Sequence, residues 1–279
     1  MARLKTSNTP DLAVLLAPTS PMTLAVEQAM LRGHKSTVAA MPVADRIAVR
    51  IAGAITENQI QAGQRLLESD ISEALHVSRA PVREALRILE RERLVEFQAR
   101  HGAVVTAPDA NDLRDIYVVR GALYQILLQQ LMDECVDDLA ATFARHMPRI
   151  AKAADERSVD DYALQSFLLN LAMIDLCPNG VLVDQLTSLS LRTLRYVRIG
   201  LAGDPSLLVS SLKSWRALER AISRRDIAAV LDTAGRRITG SRDAAVQALR
   251  TPDQAPTATG SKRAYKPQPT PRHVKPSAS

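Results

Sequence analysis

The chain has 279 residues, of which 46% are apolar but only 3% aromatic. That length supplies a core without covalent staples, and the shortage of Phe, Tyr and Trp disfavours long strands and base-stacking sheets in favour of Leu/Ala/Val-rich helices. No uncharged apolar stretch approaches ~20 residues, so a membrane-spanning helix is excluded. Cys135 and Cys177 have neither a metal-binding nor a disulfide spacing, as suits a reducing cytoplasm. The apolar run Leu12–Ala17, closed in by Asp11 and Pro18, is too short for a signal-peptide core. The formal net charge of +6 comes from the two ends, because residues 43–250 balance to zero. An argument for a polyanionic partner must therefore rest on where charges sit within the body.

Residues 1–42, rich in Ser, Thr and Pro, read as a flexible N-terminal arm with a short helix available over Leu24–Leu31. From Val43, Ile47, Ile51 and Ile55 recur every four positions, the apolar stripe of a helix ending near Asn58. Gln61-Ala62-Gly63 turns the chain into a short helix over Glu68–Leu75. His76-Val77-Ser78 makes a tight turn from which Ser78 is placed to cap the next helix, Arg79 to about Glu92, with Pro81 in its first turn. The apolar set of that helix is Val82, Ala85, Leu86 and Leu89, and Arg79, Arg83 and Arg87 run along a separate stripe. Two short strands, Val95–Gln98 and Ala103–Thr106, then flank the basic tip Ala99-Arg100-His101-Gly102.

Helix, helix, turn, helix and hairpin is a winged helix-turn-helix, over residues 43–108. A major groove admits the third helix end-on, and guanidinium groups bond O6 and N7 of guanine in pairs. Ser78 and the N–H groups at the helix start suit phosphate oxygens, and Arg100, His101 and Gly102 suit a neighbouring minor groove. An arginine stripe alone is equally what a solvated face paired with Glu84 and Glu90 would show; the ordered set is the specific signal. Residues 109–250 read as an all-α bundle of about six helices, with start signals at Asp109/Asp112, Ser158/Asp161, Asp204-Pro205 and Asp226. The proline-rich residues 251–279 read as a disordered basic tail.

The run AGQRLLESDISEALHVSRAPVREALRILERERLV resembles the DNA-binding region of the GntR family of bacterial transcription regulators, and VSRAPVREALRILE its most distinctive part. The resemblance implies that Arg79, Ala80 and Arg83 approach bases, with Glu68 and Ser69 nearby. Ser78 and Pro81 would lie against the backbone, and His101-Gly102 would form the wing contact. Several relatives carry arginine at the position of Ser69, so one contact is in doubt here. DLRDIYVVRGAL, CPNGVL and RALERAISRRDIAAVL resemble the FadR subfamily, whose FCD-type helical domain binds a small effector and forms a homodimer.

Many members of that subfamily hold a divalent metal with one aspartate and three histidines. Transferred to this chain, the ligand positions fall at Ser166, Asn170, Trp215 and Arg237, none of which supplies the expected donor. The five histidines are His34, His76, His101, His146 and His273, so none lies between residues 147 and 272. A carboxylate site using Asp161, Asp175 or Asp184 stays open but unsupported. The expectation is no metal cofactor, and a pocket in which Arg237 binds a small organic acid, Ser166 and Asn170 bond its polar atoms and Trp215 forms a wall. Arg120 and Arg195 are secondary candidates for the same cavity. The competing expectation is a degenerate domain in which Trp215 fills the cavity and Arg237 pairs outward with an acid. The sequence thus predicts a cytoplasmic, non-enzymatic regulator, a repressor in its relatives' manner, on an inverted-repeat operator. Two alternatives are an effector-independent DNA-binding protein and a helical enzyme with an appended reader; for the latter, Gly-rich phosphate loops, HExxH and GxSxG are absent.

Overall fold

Ser20 and Pro21 open the first described helix: the Ser20 hydroxyl accepts from the Thr23 N–H, and proline occupies the first turn, where its missing donor costs nothing. The computed structural model describes residues 20–32, 41–99 and 101–249. Helix α1 (Pro21–Leu31) buries Met22, Ala25, Val26 and Ala29. Over residues 20–32 this departs from the expectation of a flexible arm: the helix starts earlier than Leu24 and its apolar face is packed. Residues 1–19 and 33–40, Arg100, Arg250 and the basic tail 251–279 lie outside the described residues.

Helix α2 (Val43–Thr56) carries the isoleucine stripe inward, with Ile47, Ile51 and Ile55 all buried. It ends where Asn58 turns left-handed at φ 61°. A two-residue strand β1 (Arg65–Leu66), helix α3 (Glu68–Ala74) and helix α4 (Arg79–Arg91) follow, then strands β2 (Val95–Gln98) and β3 (Gly102–Val105). The sheet is antiparallel in the order β1-β3-β2, with Arg65 opposite Val104 and Gln98 opposite Gly102. The sequence reading anticipated the hairpin but not β1, which is too short to have a period of its own and exists through its pairing with β3. Val82, Ala85, Leu86 and Leu89 of α4 are fully buried, as their spacing requires.

The second half is helical: α5 (Ala110–Glu134), α6 (Val136–Asp155), α7 (Val159–Asp175), α8 (Gly180–Gly203), α9 (Ser206–Ser223) and α10 (Ile227–Ala248). Local chemistry sets their starts. Asp109 and Asp112 form a full capping box, and Ser158, Asn179 and Asp226 each accept from a backbone N–H of the first turn. The fold is therefore mainly α, a winged helix-turn-helix followed by an all-α bundle.

The two halves share one continuous buried apolar cluster, running from α2 and α4 through α1 to the bundle. Helix α1 packs on α2, α7 and α8. Its approach to α2 is so close that a Cβ on Gly53 would lie 2.4 Å from Thr23 Oγ1. Polar contacts reinforce the joint. Arg32 pairs with Asp175 through two bonds of 2.5 Å, and the Nη1 of Arg198 donates to the Thr56 carbonyl at the C-terminal end of α2. A cation there also meets the negative end of the α2 dipole. Among the described residues no helix is long and apolar enough to cross a membrane.

Candidate functional site

Two places combine exposed or uncompensated charge with a defined frame. The first is the leading edge of α4. Arg79, Ala80 and Arg83 are exposed, Pro81 is half-buried, and the preceding Ser78 is exposed at the N-cap position. Ser78 makes no side-chain capping bond, against the expectation, so its hydroxyl stays directed to solvent. Arg83 does not pair with Glu84; its Nε and Nη2 donate to the two carboxylate oxygens of Glu68, at 3.0 and 2.9 Å. That fork, Arg83's hydrogen bond first and its charge after, holds the Glu68 carboxyl below the usual carboxylate range. Glu68 thereby fixes the arginine's direction from α3 while Nη1 remains for another acceptor. Arg87 pairs with Glu90 at 2.8 Å and lies 4.2 Å over the Phe97 ring, so the third arginine serves the α4–β2 joint. Ser69 is exposed beside Glu68 and bonds Asp70 at 2.9 Å.

The wing packs on the same helix through β2, where Phe97 lies under Arg87. Gly102 has φ 74°, and a Cβ there would meet nothing within 4 Å, so glycine serves the left-handed turn at the tip. The Nε of Arg65 donates to the His101 carbonyl at 3.0 Å and braces the hairpin from β1. His101 and Gly102 are exposed. Arg65 is a bracing residue that the sequence reading missed; nothing in its local pattern marks it.

The second place is a cavity of about 530 Å³ enclosed by α5, α7, α8, α9 and α10. Arg120, Ser166, Asn170, Trp215 and Arg237, predicted from five separated positions, all line it. Arg195 does not: it faces α2, where its Nη2 donates to Asn58 Oδ1. Arg237 lies flat on Trp215, its guanidinium carbon 3.3 Å from the ring centroid, with Nη1 donating to Ser214 Oγ at 2.6 Å and the Ser211 carbonyl at 3.2 Å. Among the described residues it has no acidic partner, contrary to the outward-pairing alternative. One side of Arg237 borders the void, yet protein surrounds it closely enough for desolvation to push its pKa down to about 10, so it stays charged at neutral pH. Trp215 is 1% exposed, packs edge-on against Phe143 at 5.9 Å, and points Nε1 at Ser166 Oγ, 3.4 Å away. Tyr124 donates to Asn170 Oδ1 at 2.7 Å, and Asn170 donates to the Ser166 carbonyl at 2.8 Å. Burial pushes the Tyr124 hydroxyl up to about 12, so it remains a donor. Ser166 and Asn170 are thus chiefly a frame for the tyrosine and the indole.

The residues at the four metal positions do not fit a divalent ion. A guanidinium repels it, an indole has no lone pair to give, and among the described residues no three His, Cys, Asp or Glu side chains cluster. Asp161 belongs to the α7 cap, Asp175 to the Arg32 pair, and Asp184 is exposed; none lines the cavity.

The chain shows similarity to known proteins over both places. Residues 43–105 match the model of bacterial regulatory proteins of the gntR family, and residues 115–240 match the FCD domain. Among curated relatives, the gluconate operon transcriptional repressor of Bacillus subtilis is 28% identical over 129 residues, 46% of this chain and 53% of the relative. An uncharacterized HTH-type transcriptional regulator YdhC from the same organism is 28% identical over 106 residues, 38% of this chain and 47% of the relative. The chain thus spans about half the length of these relatives. Among solved structures, E. coli McbR/YncC aligns with a TM-score of 0.65 at 16% identity, covering 75% of this chain and 99% of that one. A GntR transcriptional regulator from Rhodococcus sp. RHA1 aligns at 0.57 and 22% identity, over 74% and 97%. At such identities the structures speak for the fold alone. The matched families and relatives are regulators rather than enzymes, and the chain joins a DNA-binding domain of the gntR family of bacterial regulatory proteins, over residues 43–105, to an FCD domain over residues 115–240.

Proposed function

We propose that the protein is a sequence-specific, DNA-binding transcription regulator of the FadR type, a cytoplasmic repressor whose operator affinity is set by a small organic anion held in the α5–α10 cavity without a metal ion. The observation that carries the DNA assignment is the exposed edge of α4, with Arg79, Ala80 and an Arg83 aimed by Glu68, on a helix that also packs on the wing strand β2. Selection of bound duplexes from a random pool tests it: an inverted repeat should emerge, and a pool with no enriched sequence at moderate salt overturns it.

Two-fold association supplies the inverted repeat. Its surface on this chain is the outer face of α5, where Val118, Val119 and Ile126 are 64%, 51% and 54% exposed with Ala122 between them. A second copy covers that stripe in the proposed homodimer. Replacing Ile126 by Glu should turn a dimer into a monomer by analytical ultracentrifugation, and an unchanged mass would move the interface elsewhere.

The anion reading rests on Arg237, a charge enclosed with no acid beside it. Helix α8 offers the route to the reader, with Val197 and Leu201 on the cavity and Arg195 and Arg198 on the end of α2. A ligand that displaces α8 against α2 would change operator affinity by its differential binding free energy, ~1–3 kcal/mol in ordinary allostery. An effector-independent domain, with the fully buried Trp215 as filler, is the second reading. It predicts DNA affinity insensitive to any organic acid, and the void beside the indole counts against it.

A further inference from the structure

Charge inside the cavity is unbalanced. Its lining includes the cations Arg120, Lys213, Arg236 and Arg237 and no aspartate or glutamate. Arg236 is neutralised by Asp232, and Lys213 is exposed to solvent. Arg120 and Arg237 remain. Arg120 is only 8% exposed, its Nε has no hydrogen-bond partner, and its guanidinium stands 5.9 and 6.0 Å from the rings of Tyr117 and Tyr124. Arg237 spends Nη1 on α9 and one face on Trp215, which leaves its Nε–Nη2 edge for a bidentate acceptor. Both arginines line the same cavity, with Tyr124 between them in its wall. Enclosing two like charges without a counter-ion is costly, and one monovalent anion offsets only half of it. Val197, Leu201, Leu207 and Ile238 supply apolar wall beyond the arginines.

We infer that the cavity takes a doubly charged head group, a dicarboxylate or a phosphate monoester, on an apolar body, with Arg120 and Arg237 each holding part of the charge. This rests on the anion reading above and narrows it. Of the cavity's roughly 530 Å³, the head group fills only a part, which leaves room for the body.

Trp215 is the only tryptophan in the chain, so its emission reports on the Arg237 face directly. The full-length protein is titrated with phenylsuccinate, with 3-phenylpropionate as the same skeleton less one carboxylate, and with phenyl phosphate at a pH of about 8, where the phosphate is dianionic. The expected result is that at least one dianion binds about 30-fold or more tighter than the monoanion, the loss expected when one partner of a buried charge pair is removed. Whether phenylsuccinate or phenyl phosphate prevails identifies the head group. Arg120→Gln should erase the preference for the dianion while raising the melting temperature of the free protein, because it removes an uncompensated charge. Arg237→Lys, which keeps the charge but not the fork, guards against a variant that fails to fold and should weaken dicarboxylate binding selectively. Equal binding of monoanion and dianion overturns the doubly charged head group and leaves the anion reading standing. Emission unmoved by every probe overturns both.

Discussion

Gly53 offers a test of whether α1 is docked on α2, because two simple effects there have opposite signs. Replacing a mid-helix glycine by alanine ordinarily stabilises a helix by ~1 kcal/mol. Here the added methyl would lie 2.4 Å from Thr23 Oγ1, 2.9 Å from its Cγ2 and 3.0 Å from its Cβ. Thr23 is β-branched, so rotation clears one contact only by driving another atom into its place. Its N–H and hydroxyl also bond Ser20, the cap of α1, so shifting Thr23 disturbs that helix start. Overpacking of this kind costs ~1–3 kcal/mol, and α1 has to move outward as a body, partly exposing Met22 and Val26, each worth ~1.5–3 kcal/mol when fully buried. The expected net effect of Gly53→Ala is a loss of about 1–2 kcal/mol, a fall in melting temperature of roughly 2–8 °C for a chain of this size. Thr23→Ala removes the two nearest atoms, so the double variant should be more stable than additivity predicts, by about 1 kcal/mol. Thermal and urea unfolding of the four proteins measures this cycle. A Gly53→Ala protein that melts higher than the parent, or a cycle with no coupling, refutes the docking of α1.

Arg83→Ala should weaken binding to the selected operator by ~1–3 kcal/mol and relax specificity at one base position. Glu68→Gln should instead loosen the aim of Arg83 and reduce specificity with little loss of affinity, both read by competition gel shifts. The depressed Glu68 pKa means that its pairing is complete above the ordinary carboxylate range and is lost as pH falls through the lower folded value, so acidification should imitate Glu68→Gln. Arg198→Ala removes a charged donor from the Thr56 carbonyl and should cost ~1.5–3 kcal/mol in stability. The same variant should reduce the ligand's effect on DNA binding to under about threefold, and an undiminished response would remove α8 from the route. Tyr117, Tyr124 and Tyr196 are raised by burial to about 12 from an ordinary 10.0. A folded state that holds its protons more tightly than the unfolded chain is favoured below 10, and that contribution is lost as pH rises toward 12. Phenolate absorbance should therefore lag the model-compound curve until the protein unfolds.

What the sequence disclosed and what it withheld divide along physical lines. Helix starts were legible because a cap is a matter of three or four consecutive residues, as at Asp109, Ser158 and Asp226. The buried side of α4 was legible because its period is that of the helix itself. Arg83's partner was not, since Glu68 lies 15 residues back on another helix and Glu84 is the nearer carboxylate along the chain. Helix α1 carried a readable signal, Ser20-Pro21 before apolar residues at 22, 25, 26 and 29, that the surrounding polar composition obscured. The error over Arg195 was avoidable in principle. Successive residues of an α-helix are rotated by ~100°, so residue 195 lies on the opposite side of α8 from residue 197 and ~120° from residue 201. Once Val197 and Leu201 face the cavity, Arg195 is turned away from it, toward Asn58 on the reader. The rotation that denies Arg195 a place in the cavity wall gives α8 two working faces, one lining the cavity and one gripping the end of α2. Under the proposed effector control, a single helix would then carry a change in the cavity to the winged half without a separate relay.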